Sequence, residues 1–255
     1  MIRHPAMAYI EIRNLSHRFA DGTVGLNRID LTIERGNFVL LAGENGSGKT
    51  TLLKHLNGLL LPTAGEVIVD GCSVADDPVR ARLKLGMVFQ DADAQIVGQT
   101  VAEDTAFGPE NLGLARSVID QRVQAALAAV GLSHAAEQAP HRLSGGEKRR
   151  LAIAGVLAMA PEAILFDEPF SNLDDTGVRQ VLAQMVALNG SGHTLVVTTH
   201  DLEKAAAHAD RLIVLHRGRT VLDGRPAALF AEVARFGIRP PCAFRYGQEV
   251  VSWLN

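Results

Sequence analysis

Gly43-Glu44-Asn45-Gly46-Ser47-Gly48-Lys49-Thr50 satisfies the pattern G-x-x-x-x-G-K-[ST]. Glycines at this spacing let the backbone curl until several N–H groups converge on one set of phosphate oxygens. A helix leaving the loop adds its positive end. A lysine here reaches β- and γ-phosphates, and the hydroxyl that follows it can ligate Mg²⁺. Asp167-Glu168 supplies the complementary chemistry, directly after the apolar run Ala163–Phe166. An Asp at a strand end can hold Mg²⁺ through its hydration shell, and a neighbouring Glu can take a proton from an attacking water. His200 ends another apolar run and is placed to contact a γ-phosphate.

A second anion site is written in Leu143-Ser144-Gly145-Gly146-Glu147. Ser144 and Glu147 have the spacing of a capping box. Glycines in the first helical turn leave its amides open to a phosphate. Lys148, Arg149 and Arg150 follow, and cations near the positive end of a helix are unfavourable unless an anion joins them. One chain with one phosphate loop has no use for a second phosphate terminus of its own. The segment therefore points to nucleotide shared between two subunits.

These residues need a scaffold, and its elements are readable. Tyr9–Arg13 and Ile29–Ile33 alternate as half-buried strands, with a turn at Asp21-Gly22 and a break at Arg35-Gly36-Asn37. Phe38–Ala42 is continuously apolar, as suits a strand covered on both faces. A helix from about Gly48 to Asn57 leaves the phosphate loop, and Glu66–Val69 reads as a strand before the Asp70-Gly71 turn. From Gln99 to Leu143 the pattern is helical; Ser117 is the expected N-cap of a helix whose apolar residues include Val123 and Leu127, with Gly131 past its end. Strand–helix alternation then returns, with strands at Ala163–Phe166, Leu195–Val197 and Leu212–Leu215. Such alternation implies an α/β fold whose parallel sheet carries helices on its faces.

Composition sets outer limits. The chain has 255 residues, 47% hydrophobic and 21% charged, enough for a sizeable core. A net charge of −3 leaves no basic footprint, so nucleic acid is not an expected partner. Cys72 and Cys242 form no CxxC pair, which favours a reduced, cytosolic context. Met1–Met7 lacks the apolar run of a signal peptide and is read either as a disordered extension ahead of the domain or as lying upstream of the true start. Leu151–Phe166, the most apolar stretch, is interrupted by Pro161-Glu162 and falls short of the roughly 20 residues that span a bilayer.

In order and spacing, GENGSGKT, Gln90 in Val88-Phe89-Gln90, LSGGE, ILFDEP, SNLD and His200 resemble the ABC ATPase family over nearly the whole chain. The resemblance implies a P-loop NTPase core with a parallel sheet, an N-terminal antiparallel β subdomain and an inserted α-helical subdomain. The ABC domain would span 8–225, with core segments 8–90 and 160–225, a helical subdomain at about 91–159 and a short C-terminal extension at 226–255. ATP and Mg²⁺ would be the ligands. Gly43, Glu44, Asn45, Gly46, Ser47, Gly48, Lys49, Thr50 and Thr51 would bind ATP, with Phe19 stacked on adenine. Thr50, Gln90 and Asp167 would hold Mg²⁺. Glu168 would be the general base, assisted by Gln90 and His200. Ser144, Gly145, Gly146 and Glu147 would contact ATP held by a second ABC ATPase, and Asp174 would lie at the dimer interface. Two departures, Glu147 in place of the commoner Gln and Asn172 in place of Ala, remove no catalytic group.

Within the family, the segments Asp91–Ile96, Thr100–Asp104, Ala106–Leu114 and Leu151–Met159, with the tail from Leu229 to Pro241, resemble energy-coupling-factor ATPases. That implies a peripheral subunit on the cytoplasmic face of the cell membrane. Its partners would be a transmembrane coupling subunit and a substrate-binding membrane subunit, and it would energise import of a cobalt or nickel ion or a vitamin such as biotin. The stretch after Gln90 would form a helix bordering the groove for the membrane partner. The competing readings are the ATPase of another ABC importer or exporter, and a soluble ABC ATPase without a transport role. The second lacks a tandem cassette or basic extension to support it.

Overall fold

The computed structural model describes residues 8–254; the expectation for Met1–Met7 lies outside them. In chain order the first half comprises β1 (Ala8–Arg18), β2 (Val24–Glu34), β3 (Phe38–Ala42), α1 (Lys49–Leu56), β4 (Ala64–Val69), β5 (Cys72–Ser73), α2 (Pro78–Lys84), β6 (Leu85–Val88), α3 (Val101–Asn111) and α4 (Arg116–Ala129). Then come α5 (Gly145–Ala158), β7 (Ala163–Phe166), α6 (Asp175–Gly190), β8 (Thr194–Thr199), β9 (Arg211–His216), β10 (Arg219–Gly224), α7 (Pro226–Leu229) and α8 (Cys242–Arg245). Short 3₁₀ turns fill several connections.

The N-terminal alternation produces an antiparallel sheet of order β2-β1-β4-β5. A six-stranded sheet has the order β10-β9-β3-β8-β7-β6. Strands β9 through β6 in that order run parallel, while β10 is antiparallel to β9. The expected parallel sheet thus carries one antiparallel edge, because β9 returns through the tight Arg217-Gly218 turn instead of a crossover helix.

Strand β3 shows why its sequence is continuously apolar. Val39 and Leu41 join a core with Ile10, Leu15 and Ile29 of the antiparallel sheet and Leu52 and Leu56 of α1. Phe38 and Leu40 face the opposite core, built with Ile153 of α5 and Val181 and Leu182 of α6. Large side chains fully buried in this way contribute about 1.5–3 kcal/mol each.

Polar groups tie the two sheets together as well. Arg35 and Lys84 both pair with Asp70 (2.5 and 3.1 Å) and with Glu162, and the Arg35 guanidinium lies 4.1 Å over the Tyr9 ring. Burial pushes the Tyr9 phenol above its ordinary pKa.

The helical region divides at Gly113, whose φ of +66° ends α3. Helix α4 starts at Arg116, with Ala115 as its N-cap and no side-chain cap bond, so Ser117 sits inside the first turn and is not the N-cap the sequence suggested. An Arg116–Asp120 ion pair at 2.9 Å fastens that turn instead. Gly131 follows the helix at φ +69°, as expected. No helix among the described residues is long and apolar enough to cross a membrane.

The C-terminal segment packs back on the core. Phe230, Val233 and Ile238 enter the same apolar cluster as α5 and α6. Arg239 bridges Asp201 in parallel, and the Cys242 amide donates to Glu203 at 2.6 Å.

Candidate functional site

Parallel pairing brings the chemistry to one edge. Val88 pairs with Phe166, Phe166 with Val197, and Ala42 with Thr199, so β6, β7, β8 and β3 end at a common level. The next residues are Phe89-Gln90, Asp167-Glu168, His200 and the phosphate loop. Ligands in open α/β sheets sit beyond the carboxyl ends of the strands, and this edge is that place.

The loop keeps its shape through glycine. Gly48 caps α1 at φ +106°, and a Cβ there would lie 2.7 Å from the Gly25 carbonyl oxygen. At Gly43 a Cβ would meet Ser47 Oγ at 2.4 Å and the Leu215 carbonyl at 2.5 Å. The buried Lys49 ammonium donates to the carbonyls of Gly43 (2.7 Å) and Glu44 (3.2 Å) and lies 3.3 Å from Glu168 Oε1. Ser47 Oγ is buried in this loop without a hydrogen-bond partner. An unspent hydroxyl among amides that curl around open space suits a phosphate oxygen.

Asp167 is held from two sides. Thr50 Oγ1 lies 2.9 Å from both of its carboxylate oxygens, and Thr198 Oγ1 donates to Oδ1 at 2.8 Å. Thr198 also accepts from the Glu168 amide at 2.8 Å. Glu168 has φ +45°, a conformation that non-glycine residues adopt at a cost of order 1–3 kcal/mol and only where the surroundings hold it. Its Oε2 meets His200 Nδ1 at 3.0 Å. Hydroxyl and carboxylate oxygens from Thr50 and Asp167, with Gln90 beside them, are hard donors of the kind Mg²⁺ takes alongside phosphate oxygens.

A cavity of about 470 Å³ is lined by Asn45, Gly46, Ser47, Gly48, Lys49, Thr50, Thr51, Gln90, Glu168 and His200, with Phe19 at its margin. The Phe19 ring contacts His17 edge-on at 4.7 Å, and His17 Nδ1 bonds His55 Nε2 at 3.1 Å. The Glu44 side chain lies elsewhere. It faces the turn at Gly237, where a Cβ would come within 2.0 Å of its Oε1, and His216 at 4.0 Å.

Ser144, Gly145, Gly146 and Glu147 line a separate cavity with Asn172, Asp174 and Gly177, and no residue lines both. The capping box forms: the Glu147 amide donates to Ser144 Oγ, and the Glu147 carboxylate accepts from the Ser144 amide and hydroxyl, both at 2.8 Å. Those bonds hold the Glu147 carboxyl below its ordinary pKa. Asp174 N-caps α6 by accepting from the Gly177 amide at 2.8 Å.

One expectation is overturned. Lys148, Arg149 and Arg150 are not cations awaiting an anion. Lys148 pairs with Asp93 at 2.6 Å, Arg149 donates to the carbonyls of Phe89 (2.5 Å) and Gln90 (2.6 Å), and Arg150 donates to Val130 (2.8 Å). The helix carries these side chains away from its amide end to acceptors elsewhere in the chain.

Two roles in the site were not read in the sequence. Thr198 orients both acids, and its only signal is a hydroxyl inside an apolar strand. Gln95 accepts from the Phe89 amide at 2.9 Å and donates to the Met87 carbonyl at 3.2 Å, holding the loop that carries Gln90.

The sequence model of the ABC transporter family matches residues 26–171, more than half of the chain. The energy-coupling factor transporter ATP-binding protein EcfA of Methanothermobacter thermautotrophicus is 43% identical over 238 residues, covering 91% of this chain and 76% of the relative. EcfA2 of Clostridium perfringens is 44% identical over 234 residues, covering 88% and 82%. Among solved structures, cbiO1 of Clostridium perfringens, part of the ABC transporter complex cbiONQ, superposes with a TM-score of 0.82 at 35% identity, covering 89% of this chain and 92% of that one. A nucleotide-free ATP-binding cassette from an ABC transporter gives 0.77 at 22% identity, a likeness of fold.

Proposed function

Since this chain belongs to the ABC transporter family of ATP-binding subunits, which hydrolyse ATP with Mg²⁺, we propose that it is the motor of an energy-coupling-factor importer, acting as one of a pair. The observation that carries the catalytic reading is the contact of one carboxylate, Glu168, with Lys49 on one oxygen and His200 on the other.

Lys49 donates to two loop carbonyls and forms an ion pair at 3.3 Å with Glu168 Oε1, which is buried without a hydrogen bond of its own. A triphosphate competes for the same ammonium, so nucleotide binding releases Glu168 from its cation and leaves it free to take a proton from water. Thr198 keeps Asp167 and Glu168 apart and aimed as Thr50 turns toward the phosphates. Thr50, Asp167 and Gln90 would hold Mg²⁺, which would offset the phosphate charge. His200 steadies Glu168 and meets the γ-phosphate. The amides at Ser144–Gly146 of a second subunit complete the site, which fits their separation from the phosphate loop within one chain.

A groove between α2–β6 and α3–α5, of about 280 Å³, is lined by Leu59, Leu85, Met87, Phe89, Val97, Phe107 and Met159, with Arg82 and Asp104. Phe107 and Val97 stay more than half exposed, which suits a short helix from a membrane partner docked there. The protein would sit on the cytoplasmic face of the membrane, with cargo chosen by a membrane subunit.

Glu168→Gln should retain ATP binding and lose turnover; turnover at the parental rate would remove the base assignment. Affinity purification of the tagged chain from host membranes tests the transport reading. A small substrate-binding membrane protein together with a coupling subunit supports it. A conventional permease pair replaces the sub-family, and ribosomes or nucleic acid would sink transport altogether.

A further inference from the structure

Arg149 is almost fully buried, at 4% exposure; the charges of Asp91 and Asp167 act on it, but among the described residues no carboxylate lies close enough to form an ion pair with it. Its two terminal nitrogens donate to consecutive backbone carbonyls, Phe89 at 2.5 Å and Gln90 at 2.6 Å, and its Nε is buried without a partner. Taking a guanidinium out of water costs several kcal/mol, and a well-packed apolar residue of similar volume serves stability as well or better. Stability alone therefore does not account for it.

Its position does. Arg149 lies on α5, whose first residues are the glycines that open the second cavity. The carbonyls it grips belong to a loop held mainly by side chains, with Gln95 bonding Phe89 and Met87, and Lys148 pairing with Asp93. Within that loop, Gln90 lines the phosphate-loop cavity, while Phe89 and Gln95 line the apolar groove. A third cavity, lined by Gln90, Asp91, Gly145, Arg149 and Asn172, lies between the two nucleotide half-sites. One buried guanidinium thus connects the glycine end of α5, the nucleotide cavity and the groove.

We propose that Arg149 is a positioning residue that makes α5 and the Phe89–Gln90 segment move as one body. A nucleotide held by the second subunit, on meeting Ser144–Gly146, then sets Gln90 in this chain's own site and shifts the groove with it. The inference rests on the functional reading above. Two carbonyls in succession suit the fixed fork of Arg, and Lys can serve only one well.

The test uses the full-length chain as parent, Arg149→Met, Arg149→Lys and Glu168→Gln. Expected for Arg149→Met is a kcat lowered about ten-fold or more, with KM and the affinity for a fluorescent ATP analogue within about two-fold of the parent. Arg149→Lys should recover part of kcat. Amide exchange then reads the coupling directly. In the Glu168→Gln background, ATP should protect residues 144–147 and 87–96 together; with Arg149→Met added, 144–147 should still gain protection while 87–96 does not. Unchanged kcat in Arg149→Met, a kcat that falls only with melting temperature and nucleotide affinity, or equal protection of 87–96 would overturn the proposal. Should Arg149→Met not fold, the same exchange comparison on Arg149→Lys decides it, with retained full coupling counting against. Persistent hydrolysis by Glu168→Gln would instead place the failure in the functional reading.

Discussion

Thr198→Val separates hydrogen-bond geometry from bulk in the candidate site. The side chain is fully buried, and valine replaces its hydroxyl with a methyl group of nearly the same shape. What disappears is the donation to Asp167 Oδ1 at 2.8 Å and the acceptance from the Glu168 amide at 2.8 Å. A hydrogen bond to a charged group contributes about 1.5–3 kcal/mol, and a buried N–H left without a partner costs about 1–3 kcal/mol. The bond from the Glu168 amide helps hold that residue at φ +45°, so on the proposed mechanism its loss lets the backbone relax and carries the carboxylate away from the attacking water. If the loss of one charge-assisted bond falls wholly on the transition state, kcat drops roughly ten- to hundred-fold, at about 1.4 kcal/mol per factor of ten. The phosphate loop is untouched, so KM for ATP should move by less than about three-fold. Phosphate release at saturating and sub-saturating ATP measures both constants, and Thr198→Ser, which keeps the hydroxyl, should recover most of the rate. A valine variant within about two-fold of the parental kcat, or a serine variant as slow as valine, would refute the assignment of Thr198 as the anchor of both acids.

Gly48→Ala must place a Cβ 2.7 Å from the Gly25 carbonyl at φ +106°, and should weaken binding of a fluorescent ATP analogue by about ten-fold or more; Gly190→Ala, which meets nothing within 4 Å, should not. Burial holds the His55 imidazole below its ordinary pKa near 6.5, so below that value the unfolded chain takes up a proton that the native one refuses. Melting temperature should therefore decline as pH falls from about 6.5 toward 5, and His55→Gln should flatten the decline; an unchanged slope would exclude His55 as a contributor. Glu162→Ala deprives Arg35 and Lys84 of a shared carboxylate. These groups are partly exposed, so urea denaturation should show a loss of about 1–2 kcal/mol at low salt that shrinks near 1 M salt, and a salt-independent loss would point to packing instead.

What could be read in the sequence was chemistry confined to a few consecutive residues. A glycine-rich loop, an acidic pair after an apolar run and a capping box each carry their geometry within a span of eight residues or fewer, and each folds as read. Strand β3 was legible because burial on both faces demands apolar residues without a break. The antiparallel edge β10 was not, since its Arg219–Gly224 sequence mixes polar and apolar residues and only the turn before it sets its direction. Ser117 misled because an exposed serine near a helix start is also an ordinary first-turn residue, and the Arg116–Asp120 pair does the fastening. The cations after the glycines were the instructive error. By local rules three positive side chains at a helix N-terminus await an anion. Instead Lys148 reaches back 55 residues to Asp93, Arg149 reaches 59 and 60 residues to Gln90 and Phe89, and Arg150 reaches 20 to Val130. Two of those three cations end on the loop around Gln90. Sequence proximity to a phosphate terminus therefore does not by itself make a cation an anion ligand, since acceptors within this chain satisfy all three.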